Sequence, residues 1–153
     1  MIRLVVYGIP LPQGSKSART LPHEPRIVGE NCVGGRVILT EGFGDAPRRR
    51  KTWREAVAEA ARAWLTKNGA PDPLDGALEM WTRFYLPRPA SLPKRVEYPI
   101  RKPDLSKLLR SAEDSLSGLL YTDDARIVDS HIYKRYAIGA PPHAVIEIAP
   151  LSP

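Results

Sequence analysis

The chain has one cysteine, Cys32, so no disulfide can form within it and a cysteine-based zinc site has no ligands to draw on. No apolar run approaches the ~20 residues that a membrane-spanning helix needs. The N-terminus lacks the charged segment, apolar segment and small-residue cleavage site of an export signal, which leads us to expect a cytoplasmic protein with no membrane partner. No internal repeat or low-complexity tract is present. No glycine motif that cradles nucleotide phosphates occurs, and no Ser-His-Asp order supports a hydrolase of that kind. The three histidines, His23, His131 and His143, show no metal-ligand spacing and read as structural or surface residues. Acidic residues are in deficit: 17 Asp and Glu stand against 23 Lys and Arg, leaving a net charge of +6. Such a surplus favours a polyanionic partner, although it also serves plain solubility.

What is present reads as one α+β domain over residues 1–153, a mixed β-sheet carrying two amphipathic helices. Residues 2–9 alternate, with Leu4 and Val6 on one face and Arg3, Val5 and Tyr7 on the other, and predict a strand. Residues 10–31 show no periodicity and predict a long loop bearing Lys16. Gly34-Gly35 marks a turn, and residues 37–39 a short strand. Arg48, Arg49, Arg50 and Lys51 precede a helix in which Thr52 is the expected N-cap and Glu55 completes a capping box. Trp53, Ala56, Val57, Ala60, Ala61, Trp64 and Leu65 form its apolar stripe. Four cations at the positive end of a helix dipole cost stability. That points to contact with nucleic acid, the alternative being a solvated basic turn.

Residues 77–86 alternate again, with Glu79, Trp81, Arg83 and Tyr85 opposite an apolar face. A basic, proline-rich loop follows and ends at Arg101 and Lys102. Residues 127–136 predict a strand with Asp129, His131 and Tyr133 on one face, and 144–149 a last strand.

Between the last two loops lies the most informative stretch, residues 102–128. Leu105, Leu108, Leu109, Ala112, Leu116 and Leu119 recur at helical spacing, and Gly118 suits the helix end. Asp104 opens this helix, and Asp123 and Asp124 follow its exit. Taken alone, Asp104 reads equally as an N-cap and the Asp123-Asp124 pair as a solvated turn. Arg110 can pair with Asp114 at i,i+4, an interaction worth about 0.2–0.5 kcal/mol. The helix separates its two acidic ends by ~20 Å. They meet only if the following strand runs back along it or the chain dimerises.

Lys102-Pro-Asp-Leu, Leu108, Asp114, Leu116, Asp123-Asp-Ala and Val128 together resemble the signature of the RusA-type Holliday-junction resolvases. Pro10-Leu-Pro-Gln-Gly-Ser-Lys16 resembles the N-terminal loop of many members, and the order of parts agrees over nearly the whole chain. The resemblance implies a homodimeric endonuclease that depends on Mg²⁺, with Mn²⁺ as a substitute, and resolves four-way DNA junctions by phosphodiester hydrolysis. It implies metal ligation by Asp104 and Asp124, with Asp123 beside them, and phosphate contact by Arg110, which takes the place of the family's helix Lys. Lys16, Arg48, Arg49, Arg50, Lys51, Arg101, Lys102 and Lys107 become the expected DNA-binding cations. The pattern departs from the family at Ser106, where a third essential carboxylate is expected, and at Lys107, where the family has Asn. Loss of catalysis with retention of junction binding is the alternative that Ser106 raises.

Overall fold

The computed structural model describes residues 1–13, 16–20, 26–28, 31–33, 37–41, 46–93 and 95–151, and gives the backbone alone for those between 16 and 51. The predicted turn at Gly34-Gly35, together with His23 and Lys94, lies outside the described residues. Backbone contacts divide the chain into two compact units, Met1–Gln13 with Arg49–Pro153, and Gly14–Arg48.

The larger unit is built on a four-stranded mixed sheet in the order β1 (Ile2–Tyr7), β8 (His143–Pro150), β6 (Leu78–Leu86), β7 (Ile127–Tyr136). Strand β8 runs antiparallel to both of its neighbours, β1 and β6, and β7 runs parallel to β6 at the sheet edge. Parallel neighbours require a crossover, and helix α2 (Leu105–Leu116) lies within the segment that makes it. Helix α1 spans Ala46–Lys67. The result is the expected α+β arrangement of a mixed sheet with two helices.

Strict alternation gives the sheet two unlike faces. Ile2, Leu4, Val6, Leu78, Met80, Phe84, Leu86, Ala144, Ile146 and Ile148 are buried, and they share one core cluster with Trp53, Val57 and Ala61 of α1 and Leu108, Ala112 and Leu116 of α2. Burial of a side chain such as Leu108 stabilises the fold by about 1.5–3 kcal/mol. Arg3, Val5, Tyr7, Glu79, Trp81, Arg83, Asp129 and His131 occupy the alternate positions, on the other face. Among the described residues, no helix is long and apolar enough to cross a membrane.

Two expectations are corrected. Residues 10–31 are not one loop. Lys16–Thr20 forms β2, paired with β5 (Val37–Glu41), and β3 (Arg26–Val28) pairs with β4 (Asn31–Val33). These ribbons are too short to establish a periodicity, and the β2–β5 pairing joins segments far apart in sequence. Helix α1 begins at Ala46, not at Thr52, so Arg48, Arg49, Arg50 and Lys51 lie in its opening turns instead of ahead of it. Pro47 is preorganised for a first turn, and the long Arg and Lys side chains that follow are good helix formers.

Candidate active site

Helix α2 carries acidic groups at both ends. At its start, Asp104 holds the N-cap position with extended backbone (ψ 138°), and its carbonyl accepts from the Leu108 amide at 3.1 Å. Its side chain makes no capping hydrogen bond. The carboxylate is half exposed, with Lys107 Nζ 3.5 Å away. The backbone around it is tied down from two directions. Lys134 Nζ donates to the carbonyls of Arg101 (2.9 Å) and Pro103 (2.8 Å), and the Gln13 amide donates to the Lys107 carbonyl (2.9 Å). Arg101 and Lys102 are exposed beside the helix start and line a cleft of about 330 Å³ with Pro10, Pro12, Pro99 and Pro103. Ser106 is exposed in the first turn, at the place of the missing carboxylate. Arg88 belongs to the loop's own scaffold, since its guanidinium donates to the carbonyls of Val96 (2.6 Å) and Pro93 (2.9 Å).

At the far end of α2 a second acidic group gathers. Glu113 stands about two and a half turns beyond Asp104, ~13 Å along the axis. It is half-buried, and burial raises its pKa above the usual carboxylate range. The charges of Asp124 and Asp114 raise it further, and Arg110 acts the other way. Burial above all, and then the charges of Glu113, Asp124 and Asp114, raise the Tyr121 phenol, which donates to the Glu113 carbonyl at 3.0 Å. Asp114 pairs with Arg54 of α1 at 3.7 Å. Its charge is thus met from another helix, while Arg110 is exposed in the field of Glu113.

The neighbours Asp123 and Asp124 have different surroundings. Asp123 Oδ1 accepts from the Ala125 amide at 2.8 Å and caps the short 3-10 turn Asp124–Arg126 that leads into β7. Asp124 is exposed, and among the described residues no hydrogen bond or ion pair holds its carboxylate. Its hard oxygens and those of Asp104 suit a magnesium-like ion. Within one chain, however, Asp104 and Asp124 stand at opposite ends of α2. Of the expected DNA-binding cations, Arg101, Lys102 and Lys107 adjoin Asp104. Lys16 lies on β2 and Arg48, Arg49, Arg50 and Lys51 lie on α1, in each case known by backbone position alone.

One constellation was not legible in the sequence. Glu79, Asp129 and His131 hold ligand atoms that all lie within 4.8 Å of one another. The register pairs Glu79 with Asp129 and Trp81 with His131 across β6 and β7. Alternation had placed Glu79 opposite an apolar face and Asp129 with His131 on one face of their strand, but nothing local announced that the two strands are neighbours. His143 stacks on Tyr85 with ring centroids 4.4 Å apart.

The sequence matches the family described as Endodeoxyribonuclease RusA over residues 42–149. It is also 26% identical over 146 residues to "Uncharacterized protein YqaN" of Bacillus subtilis (strain 168), covering 89% of this chain and 88% of that protein. The family match takes in α1, β6, α2, the 3-10 turn and β7, the elements that carry both acidic ends of α2. On that match, the chain belongs to the RusA endodeoxyribonuclease family.

Proposed function

We propose that this protein is a structure-selective endonuclease that resolves four-way DNA junctions with the help of Mg²⁺, or of Mn²⁺ in its place. The observation that carries this reading is Asp104. It occupies an N-cap position, where a carboxylate ordinarily binds the first amides of the helix, yet it makes no such bond. Its oxygens stand half exposed beside Arg101, Lys102 and the Lys107 ammonium 3.5 Å away, in a chain whose family is one of DNA endonucleases.

Asp104 of one chain and Asp124 of a second copy would hold the ion, with Asp123 fixing the turn that presents its neighbour. An Mg²⁺ held there would supply Lewis-acid polarisation of the phosphoryl oxygens and a water of lowered pKa. The chain's own residues supply the rest. Arg110 offsets charge that develops on the phosphate, Arg101, Lys102 and Lys107 seat the backbone beside Asp104, and Lys16, Arg48, Arg49, Arg50 and Lys51 would each offer a phosphate contact of their own. Phosphate contacts of this kind position DNA without reading its sequence. Selectivity then rests on the shape of the branch. A DNA substrate and a chain with a single cysteine are in keeping with a cytoplasmic site of action.

The test is cleavage of a synthetic four-way junction with and without Mg²⁺, by the wild type and by Asp104→Asn. Asn is nearly isosteric and still suits an N-cap, so folding is kept while a hard anionic ligand is removed. Cleavage is expected to fall by several orders of magnitude while junction binding holds or tightens. Cleavage at the wild-type rate would remove Asp104 from the mechanism. A second reading draws on Ser106, whose neutral hydroxyl stands exposed at the third carboxylate's place. On that reading the protein binds junctions without cutting them. Wild-type chain inert with every divalent ion, with cleavage gained in Ser106→Asp, would decide for it.

A further inference from the structure

The sheet face turned away from the helices carries Glu79 and Trp81 on β6 beside Asp129 and His131 on the edge strand β7. His131 Nε2 lies 3.4 Å from Asp129 Oδ1 and 3.5 Å from Glu79 Oε1. Both separations exceed the ~2.7–3.2 Å of an N–H···O hydrogen bond. A single ring N–H also cannot serve two acceptors well. They do match the edge, ~3.4 Å, of a tetrahedron whose metal–ligand bonds are ~2.1 Å. The atoms converge without bonding one another.

Two further observations point the same way. Among the described residues neither Glu79 nor Asp129 has a Lys or Arg partner. The cation between β6 and β8, Arg83, is engaged with Glu147 at 2.8 Å. Two neighbouring carboxylates therefore stand with no cationic side chain to offset them except His131, if protonated. In addition, Trp81 stands outside the trio and orients two of its members. Its indole stacks on the His131 ring, with centroids 3.7 Å apart and planes 9° from parallel, and its Nε1 donates to Glu79 Oε1 at 2.8 Å. Fixing a ligand's ring plane and a ligand's oxygen from outside is what outer-shell groups do at metal centres.

We propose that Glu79, Asp129 and His131 form a site for a zinc-like divalent ion, separate from the α2 carboxylates. One nitrogen and two carboxylate oxygens suit zinc, whereas Mg²⁺ prefers an all-oxygen shell. The side chains of Asp129 and His131 are 52% and 43% exposed, so the ion has a path in and a fourth position open to solvent. With one ligand on β6 and two on β7, the ion ties the edge strand to the sheet interior.

The experiment is a calorimetric titration of the full chain with Zn²⁺ in a buffer that already contains excess Mg²⁺, paired with the visible spectrum of the Co²⁺-loaded protein and thermal melts. The expected result is one Zn²⁺ per chain that Mg²⁺ does not displace, a tetrahedral Co²⁺ spectrum, and a melting temperature that rises with Zn²⁺. His131→Gln and Asp129→Asn should each weaken Zn²⁺ binding at least tenfold and abolish the thermal shift. Asp104→Asn should bind Zn²⁺ as the wild type does, even though it no longer cleaves DNA. All three positions are surface ones, and the unliganded melting temperature reports whether each variant is folded. Unchanged Zn²⁺ affinity in both His131→Gln and Asp129→Asn, or no stoichiometric binding by the wild type, would overturn the proposal and leave a histidine bridging two carboxylates.

Discussion

Glu113 is the residue whose charge state the fold perturbs most legibly among the carboxylates. Burial comes first, then repulsion by Asp124 and Asp114, partly offset by Arg110, and together they raise its pKa. A carboxyl raised in this way contributes stability below its unfolded value of ~4.3 and loses it as pH climbs through the folded value. Glu113→Gln should therefore melt at a higher temperature than the wild type at neutral pH. The two should converge as pH falls to about 4, where both side chains are neutral. Thermal melts over that range decide the matter, and a gap that does not change with pH would refute the electrostatic account. Asp123 and Asp124 show the same lesson from the other side. They are adjacent and chemically identical, yet one is committed to the Ala125 amide and the other is exposed and unheld. No inspection of the dipeptide distinguishes them, because the difference is set by the 3-10 turn.

At the scale of elements, α1 opposes its own cations. With the helix beginning at Ala46, Arg48, Arg49, Arg50 and Lys51 occupy its opening turns, and no acidic residue lies in the first turn. Positive charge there works against the dipole by about 0.3–1 kcal/mol per residue at low salt. Replacing Arg49 and Arg50 by Gln should thus raise the melting temperature slightly while weakening binding to every DNA alike. The salt dependence of log K should flatten by about 0.9 for every cation that no longer neutralises a phosphate. Unchanged affinity and slope would mean that the cluster is only a solvated surface. Helix α2 differs in that its apolar face was plain from leucine spacing, and Leu108, Ala112 and Leu116 are fully buried as that spacing requires. Its end falls at Leu116, so Leu119 packs from the following turn, not from the helix.

At the scale of the whole molecule, each chain carries acidic groups at the two ends of one helix. If one ion is shared by Asp104 and Asp124, a second copy of the chain has to supply one of them. A two-fold pair also matches the symmetry-related strands of a four-way junction. This gives a test by complementation. Asp104→Asn and Asp124→Asn chains, each inactive alone, should regain cleavage when mixed and refolded together, because a mixed dimer contains one intact Asp104–Asp124 pair. Continued inactivity of the mixture, with dimers shown by sedimentation, would mean that the two residues do not act across an interface.

The sequence by itself determined the elements whose signals are local. Two-residue alternation marked β1 and β6, and leucine spacing marked α2. The motif around Asp104, Asp123 and Asp124 pointed to the family in which the chain belongs. Only the tertiary structure decided what depends on partners remote in the chain. Residues 37–39 of β5 were legible as a short strand, but β2, its pairing with β5 and the start of α1 were not, because short segments gain their structure from pairing and packing. Lys134 reaching the carbonyls of Arg101 and Pro103, Arg54 claiming Asp114, and His131 meeting Glu79 all arise where strand order and helix packing bring distant residues together. Side-chain direction along a strand is a local property, but which strand lies alongside is not. For that reason the face that His131 shares with Asp129 was legible and its approach to Glu79 was not.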